Sequence, residues 1–150
     1  MKRAWIVFAI IPVLAISAGT VDALCVKVPK ANLRVGPGTG YEVGWTVYKY
    51  FPFKKVGTSL SGKWYAVEDT DGDVLWIHQS LVTSRYRCAA VVSDKANVRT
   101  GPGTRYGKLF SEPVIRYYSF RVLKETGAWV KVRDVDNNTG WLHRNSCRIR

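Results

Sequence analysis

Three cysteines and two histidines are the side chains best suited to covalent or acid-base chemistry, and their placement argues against both. His78 and His143 occupy one repeated position, each two residues after a tryptophan (Trp76 and Trp141), whereas a general base serving one reaction would be unique. Cys25, Cys88 and Cys147 show neither Cys-x-x-Cys nor the Cys/His spacing of a zinc site. A Cys/His peptidase would need a domain of its own, with the nucleophile beside a histidine, and the chain has no room for one. The two Gly-Pro-Gly loops lack the Lys-(Ser/Thr) and the following helix of a phosphate cradle. No enzyme activity, cofactor or metal is therefore expected. What remains is recognition. Trp64, Trp129, Tyr41 and Tyr106, with His78 and His143, are the candidate ligand-binding residues, because flat, rigid rings contact peptide or sugar at little entropic cost. Arg34 and Arg99 could grip a ligand carboxylate, but donation to loop carbonyls is the expected role.

These residues are positioned by a duplication. Ala31-Asn32-Leu33-Arg34-Val35-Gly36-Pro37-Gly38-Thr39-Gly40-Tyr41 recurs 65 positions later as Ala96-Asn97-Val98-Arg99-Thr100-Gly101-Pro102-Gly103-Thr104-Arg105-Tyr106. The same displacement superposes Trp64 on Trp129, Asp69 on Asp134, Trp76 on Trp141 and His78 on His143, while Val47–Lys54 matches Val114–Arg121 at 67. Length changes thus fall in loops, as a duplicated module tolerates. Trp129-Val130-Lys131-Val132-Arg133 alternates with the period of a strand, valines to one face and the tryptophan with two cations to the other. Asp71-Gly72-Asp73 and Asp136-Asn137-Asn138 supply tight turns. Each copy reads as about five short strands, and closure into a barrel best removes exposed edges at that size.

The repeated Asn-(Leu/Val)-Arg-x-Gly-Pro-Gly-Thr-x-Tyr, followed by Gly62-Lys63-Trp64-Tyr65-Ala66-Val67 and Gly127-Ala128-Trp129-Val130-Lys131-Val132, resembles the bacterial SH3 (SH3b) family. Gly140-Trp141-Leu142-His143 supplies the closing pattern in copy two, whereas copy one carries Val74-Leu75 where glycine is usual. The resemblance implies SH3-like barrels, and with the strand periodicity the fold class is all-β: two small SH3-like barrels in tandem, after an N-terminal signal peptide read from the leader residues. The expected organisation is 1–23 signal peptide, 26–83 first SH3b domain, 84–95 linker and strand lead-in, and 96–150 second SH3b domain. It also implies binding of peptidoglycan or another cell-envelope polymer, or of an envelope protein or wall hydrolase. An adaptor that grips extended peptides of envelope proteins is the alternative.

Lys2 and Arg3 before the apolar run Ala4–Ile16, then Val21-Asp22-Ala23, read as a secretion leader cut after Ala23. The run is short for a spanning helix, so at most peripheral membrane contact is expected. Export to a periplasmic or extracellular site allows a disulfide, and either Cys25–Cys88 or Cys88–Cys147 could close it. The net charge is +12, unevenly spread. Residues 31–82 carry five cations and five anions, whereas residues 96–147 carry nine against four. Export separates this cationic surface from nucleic acid, leaving attraction to an acidic envelope polymer or membrane surface, or a generic solvated surface that keeps the chain soluble.

Overall fold

The computed structural model describes residues 22–150, so the expected leader falls outside the described residues except for Asp22 and Ala23. Module one comprises β1 (Ala23–Val26), β2 (Lys30–Arg34), β3 (Val43–Tyr48), β4 (Pro52–Thr58), β5 (Trp64–Glu68), β6 (Val74–His78) and β7 (Val82–Thr83). Module two repeats the order with β8 (Cys88–Val91), β9 (Lys95–Ala96), β10 (Val114–Ile115), β11 (Ser119–Thr126), β12 (Trp129–Arg133), β13 (Thr139–His143) and β14 (Cys147–Ile149). A 3-10 turn precedes the last strand of each module, Gln79–Leu81 and Arg144–Ser146. The fold is all-β, as expected. Residues 88–91, placed before the second module by the sequence, form the strand between β11 and β14.

The ladders do not close into barrels. Module one is a curled open sheet, β3-β2-β6-β5-β4-β1-β7, ending on a two-residue edge strand, and short edges resist further pairing. Module two divides into β13-β12-β11-β8-β14 and the ribbon β10-β9. The cause is local. In module one Lys30 to Arg34 pairs with Tyr48 to Val43, but in module two only Lys95 and Ala96 pair, with Ile115 and Val114. Pro113 stands where Thr46 continues the ladder in module one, and proline has no N–H to offer. Arg99 alone carries pairing onward, to Lys108 and Trp141.

Alternation fills each core. Leu33, Val47, Phe51, Phe53, Val67 and Ile77 pack together in module one, and Val98, Phe120, Val130, Val132 and Leu142 in module two. The modules are not separate. Ala90, from β8, packs into the core of module one. Cys25 of β1 is bonded to Cys88 of β8, with Cα atoms 5.9 Å apart, and Tyr50 and Tyr86 pack over the bond. Cys147 is the free cysteine. It takes the position Val82 holds in module one and is buried like it, so it acts as a small apolar side chain.

A second clamp forms around Tyr117, which matches Tyr50 in the repeat. Both adopt left-handed backbone, with φ of 69° and 71°, conformations costly to a bulky residue that surrounding contacts must hold. Tyr117 lies edge-on to Trp45, with ring centres 5.2 Å apart, and its hydroxyl donates to Asp71 Oδ2 at 2.6 Å. Arg116 donates to Asp71 Oδ1 at 2.7 Å, and Ser119 Oγ donates to the Lys49 carbonyl at 2.9 Å. The Tyr117 hydrogen bond, helped by Arg116, holds the Asp71 carboxyl below its ordinary value against partial desolvation. A depressed folded pKa gives stability that is present above the unfolded value, about 3.9 for aspartate, and lost as pH falls through the lower folded one. The clamp is therefore expected to hold through neutral and mildly acidic pH and to open below about pH 4. The indole resonance of Trp45 should shift on that acidification, and an Asp71→Asn protein that shows the same transition would refute the assignment.

Candidate functional site

Strand β2 sets the site by simple alternation: Ala31 and Leu33 point into the core, so Lys30, Asn32 and Arg34 point out. β5 contributes Trp64 and β6 contributes His78, directly opposite in the ladder. Their rings meet edge to face, with centres 5.3 Å apart. Lys30, Asn32, Arg34, Thr39, Trp64, His78 and Leu81 line an open cleft of about 420 Å³. Its charged walls, Lys30 and Arg34, are both cationic, so it suits carboxylate- or carbonyl-rich ligands.

Trp64 differs from its sequence expectation in degree. It lies on the outward strand face, yet only 9% of it is exposed, and His78 packs edge-on against it. It is the floor of the cleft rather than a projecting platform. Trp129 is half-buried and repeats the arrangement with His143, the rings 5.2 Å apart. Each histidine also starts a 3-10 turn. His78 Nδ1 accepts from the Ser80 N–H at 3.3 Å and His143 Nδ1 from the Asn145 N–H at 3.2 Å. His78 Nδ1 also lies 2.7 Å from Ser80 Oγ, so the turn engages Nδ1 and leaves Nε2 as the ring nitrogen for a ligand.

Tyr41 and Tyr106 form the outer wall of the Gly-Pro-Gly loops. A Cβ on Gly36 would overlap the Tyr41 ring, and one on Gly101 would overlap Tyr106, so glycine is what lets the ring lie on the loop. Arg34 Nη1 donates to the Tyr41 carbonyl at 2.7 Å and Arg99 Nη1 to the Tyr106 carbonyl at 2.9 Å, pinning the loops. Half of Tyr41 stays exposed. Tyr106 is more covered, with the Arg105 guanidinium 5.1 Å from its ring centre. Structure thus joins Trp64 to His78 and Trp129 to His143, with each tyrosine in the adjoining loop. Sequence reasoning missed Lys30, Asn32, Thr39 and Leu81, although the first two follow from period-two alternation before Arg34. The repeated Asp69 and Asp134 are structural, since each Oδ1 accepts two backbone N–H groups of the following turn at 2.8 to 3.0 Å.

Two modules, each with an aromatic and histidine face beside a pinned Gly-Pro-Gly loop, define a duplicated small β-fold whose accessible chemistry lies on its surface. The chain belongs to the bacterial SH3 domains and carries two of them in tandem: family models described as bacterial SH3 domain match residues 27–83 and 94–146. Over 63 residues, 42% of this chain, it is 35% identical to a candidate N-acetylmuramoyl-L-alanine amidase, YrvJ, of Bacillus subtilis (strain 168), and the match spans 12% of that protein. An NlpC/P60 family protein from Bacillus cereus ATCC 10987 aligns with 85% of this chain and 56% of its own, at 12% identity and a TM-score of 0.39. An NlpC/P60 endopeptidase from Photobacterium damselae subsp. piscicida aligns with 87% of this chain and 33% of its own, at 14% identity and a TM-score of 0.38.

Proposed function

We propose that this protein is an exported, non-catalytic binding protein that recognises peptidoglycan or an associated envelope component through its SH3b modules. The observation that carries the reading is the Trp64–His78 cleft, walled by Lys30, Asn32 and Arg34, in a chain built of two bacterial SH3 domains. The amidase match over the SH3b portion supports a wall setting, and the Cys25–Cys88 bond supports a compartment outside the reducing cytosol. Among the described residues no helix is long and apolar enough to cross a membrane. The non-catalytic reading is supported by the state of the nucleophiles. Cys25 and Cys88 are consumed in the disulfide, and burial pushes the Cys147 thiol up to about 11, leaving almost no thiolate at neutral pH.

Purified wall sacculi test the proposal by co-sedimentation. Lys30→Ala with Asn32→Ala removes two exposed groups from the cleft and leaves the core intact, so the folded variant is expected to bind at least about tenfold more weakly. A Trp64→Ala, Trp129→Ala protein is expected to lose more, though part of its loss reflects the burial of Trp64. Unchanged retention of both variants would remove the cleft assignment. Release of soluble fragments from sacculi by the purified protein would overturn the non-catalytic reading.

A further inference from the structure

The duplicated frame provides an internal control for charge. In module one β4 meets β5 with Lys54 opposite Glu68, joined at 3.8 Å, and Gly57 opposite Ala66. Both ladders carry an irregularity at the same place, after Lys55 in module one and after Val122 in module two. The matching positions of β11 and β12 hold Arg121 opposite Arg133 and Lys124 opposite Lys131. A compensated pair and a neutral pair have thus become two like-charge pairs. Like charges directly opposite destabilise a sheet, so the module holds this pattern at a cost to its own stability.

Nothing among the described residues neutralises the four. Among the described residues none of Arg121, Lys124, Lys131 and Arg133 is in an ion pair, and the nearby Glu125 is already held by Arg87 at 2.9 Å and Arg144 at 2.7 Å. Two of the four heads rest on aromatic faces instead. The Arg121 guanidinium lies 4.6 Å from the ring centre of Tyr86, and Lys131 Nζ lies 5.9 Å from that of Trp141. The Nε atoms of Arg121 and Arg133 are buried without a partner. All four residues lie on the sheet face opposite Val130 and Val132, the face that also carries Trp129.

We infer that this cationic ladder is a second binding surface, for a linear polymer bearing phosphate groups. Cross-strand neighbours stand about 5 Å apart at Cβ, and the two rows are about 7 Å apart along the strand. A guanidinium fork pairs with the two non-bridging oxygens of an in-chain phosphate, and their remaining lone pairs accept from the second cation of the row. Successive rows then take successive charges along a chain. The inference extends the wall-binding reading from the Trp64–His78 cleft of module one to the outer sheet face of module two, relies on it only for the setting, and stands or falls separately.

The test restores the pattern of module one. Arg133→Glu with Lys131→Ala places a carboxylate opposite Arg121 and an alanine opposite Lys124. Its melting temperature is expected to equal or exceed that of the parent, because repulsion has been replaced by attraction. Binding of long-chain inorganic polyphosphate at low salt is expected to weaken at least about tenfold, and binding by the parent is expected to fade as salt rises. Lys124→Gln with Lys131→Gln repeats the test should the first protein misfold. Polyphosphate binding that is absent from the parent or unchanged in the variants would overturn the surface, and tighter binding of poly-glutamate of matched length would overturn its assignment to phosphate. The Lys30→Ala, Asn32→Ala protein should keep polyphosphate binding while losing sacculi. Sacculus binding without polyphosphate binding sinks this inference alone, and the converse sinks the cleft alone.

Discussion

Replacing both Cys25 and Cys88 by alanine is expected to destabilise the protein by about 4 kcal/mol, the entropy of closing a long loop in the unfolded chain. The bonded residues are 63 apart in sequence, and both are buried, so the cross-link removes much unfolded-state freedom while the native environment stays apolar. At this chain length the change corresponds to a fall in melting temperature on the order of 10–15 °C. The bond joins β1 of module one to β8 of module two, so its loss should also loosen the contacts between modules. Amides of β1 and β8 are expected to exchange faster than those of β5 and β12. Cys147 does not complicate the measurement, because its thiol is buried and its pKa raised to about 11, which suppresses attack on the disulfide. A fall of less than about 3 °C would show that the unfolded chain gains little from the cut.

The second large effect is expected at a pair of sites where the modules exchange bulk. Gly140 matches Leu75, and Leu109 matches Gly44, at the displacement of 65. In module two a Cβ on Gly140 would stand 2.5 Å from Val98 Cγ1, 2.9 Å from Leu109 Cδ2 and 3.0 Å from the Arg99 carbonyl oxygen, so Leu109 is one of three obstacles. In module one a Cβ on Gly44 would stand 3.2 Å from Leu75 Cδ2. Each module therefore fills the space once, from opposite sides. Gly140→Leu is expected to destabilise by about 3 kcal/mol, since one obstacle is backbone and cannot rotate away. Adding Leu109→Gly copies the arrangement of module one and should recover about half, a coupling visible in a double-mutant cycle by denaturant unfolding. Additive losses would mean that the two side chains do not share one space.

That exchange explains why the sequence carried most of the fold but not all of it. Duplication, alternation and turn chemistry are local patterns, and they led to an all-β tandem with its family motifs in place. The absence of glycine before Trp76 was visible as a departure, but its compensation at Gly44 lies across a strand pair and has no local signature. The open ladder of module two has a related cause. The effect of Pro113 depends on which strand it faces, and only the register reveals that. Among the site residues, the face that His78 shares with Trp76 is legible as strand parity, whereas its pairing with Trp64 and the depth of Trp64 depend on ladder register and packing across strands. The choice among cysteine pairs was open in sequence, and the approach of β1 to β8 decides it.

Ala90 is a small residue, yet its place in the core of the other module carries a geometric consequence. With the disulfide and the Asp71 clamp, it makes the tandem behave as a caliper rather than as beads on a string. If the cleft on module one and the ladder on module two both engage a polymer, their separation is fixed before contact. The second engagement then gains from a high effective concentration, but only for ligands whose own spacing matches the jaws. Discrimination among envelope polymers would then come from span as much as from the chemistry of either surface.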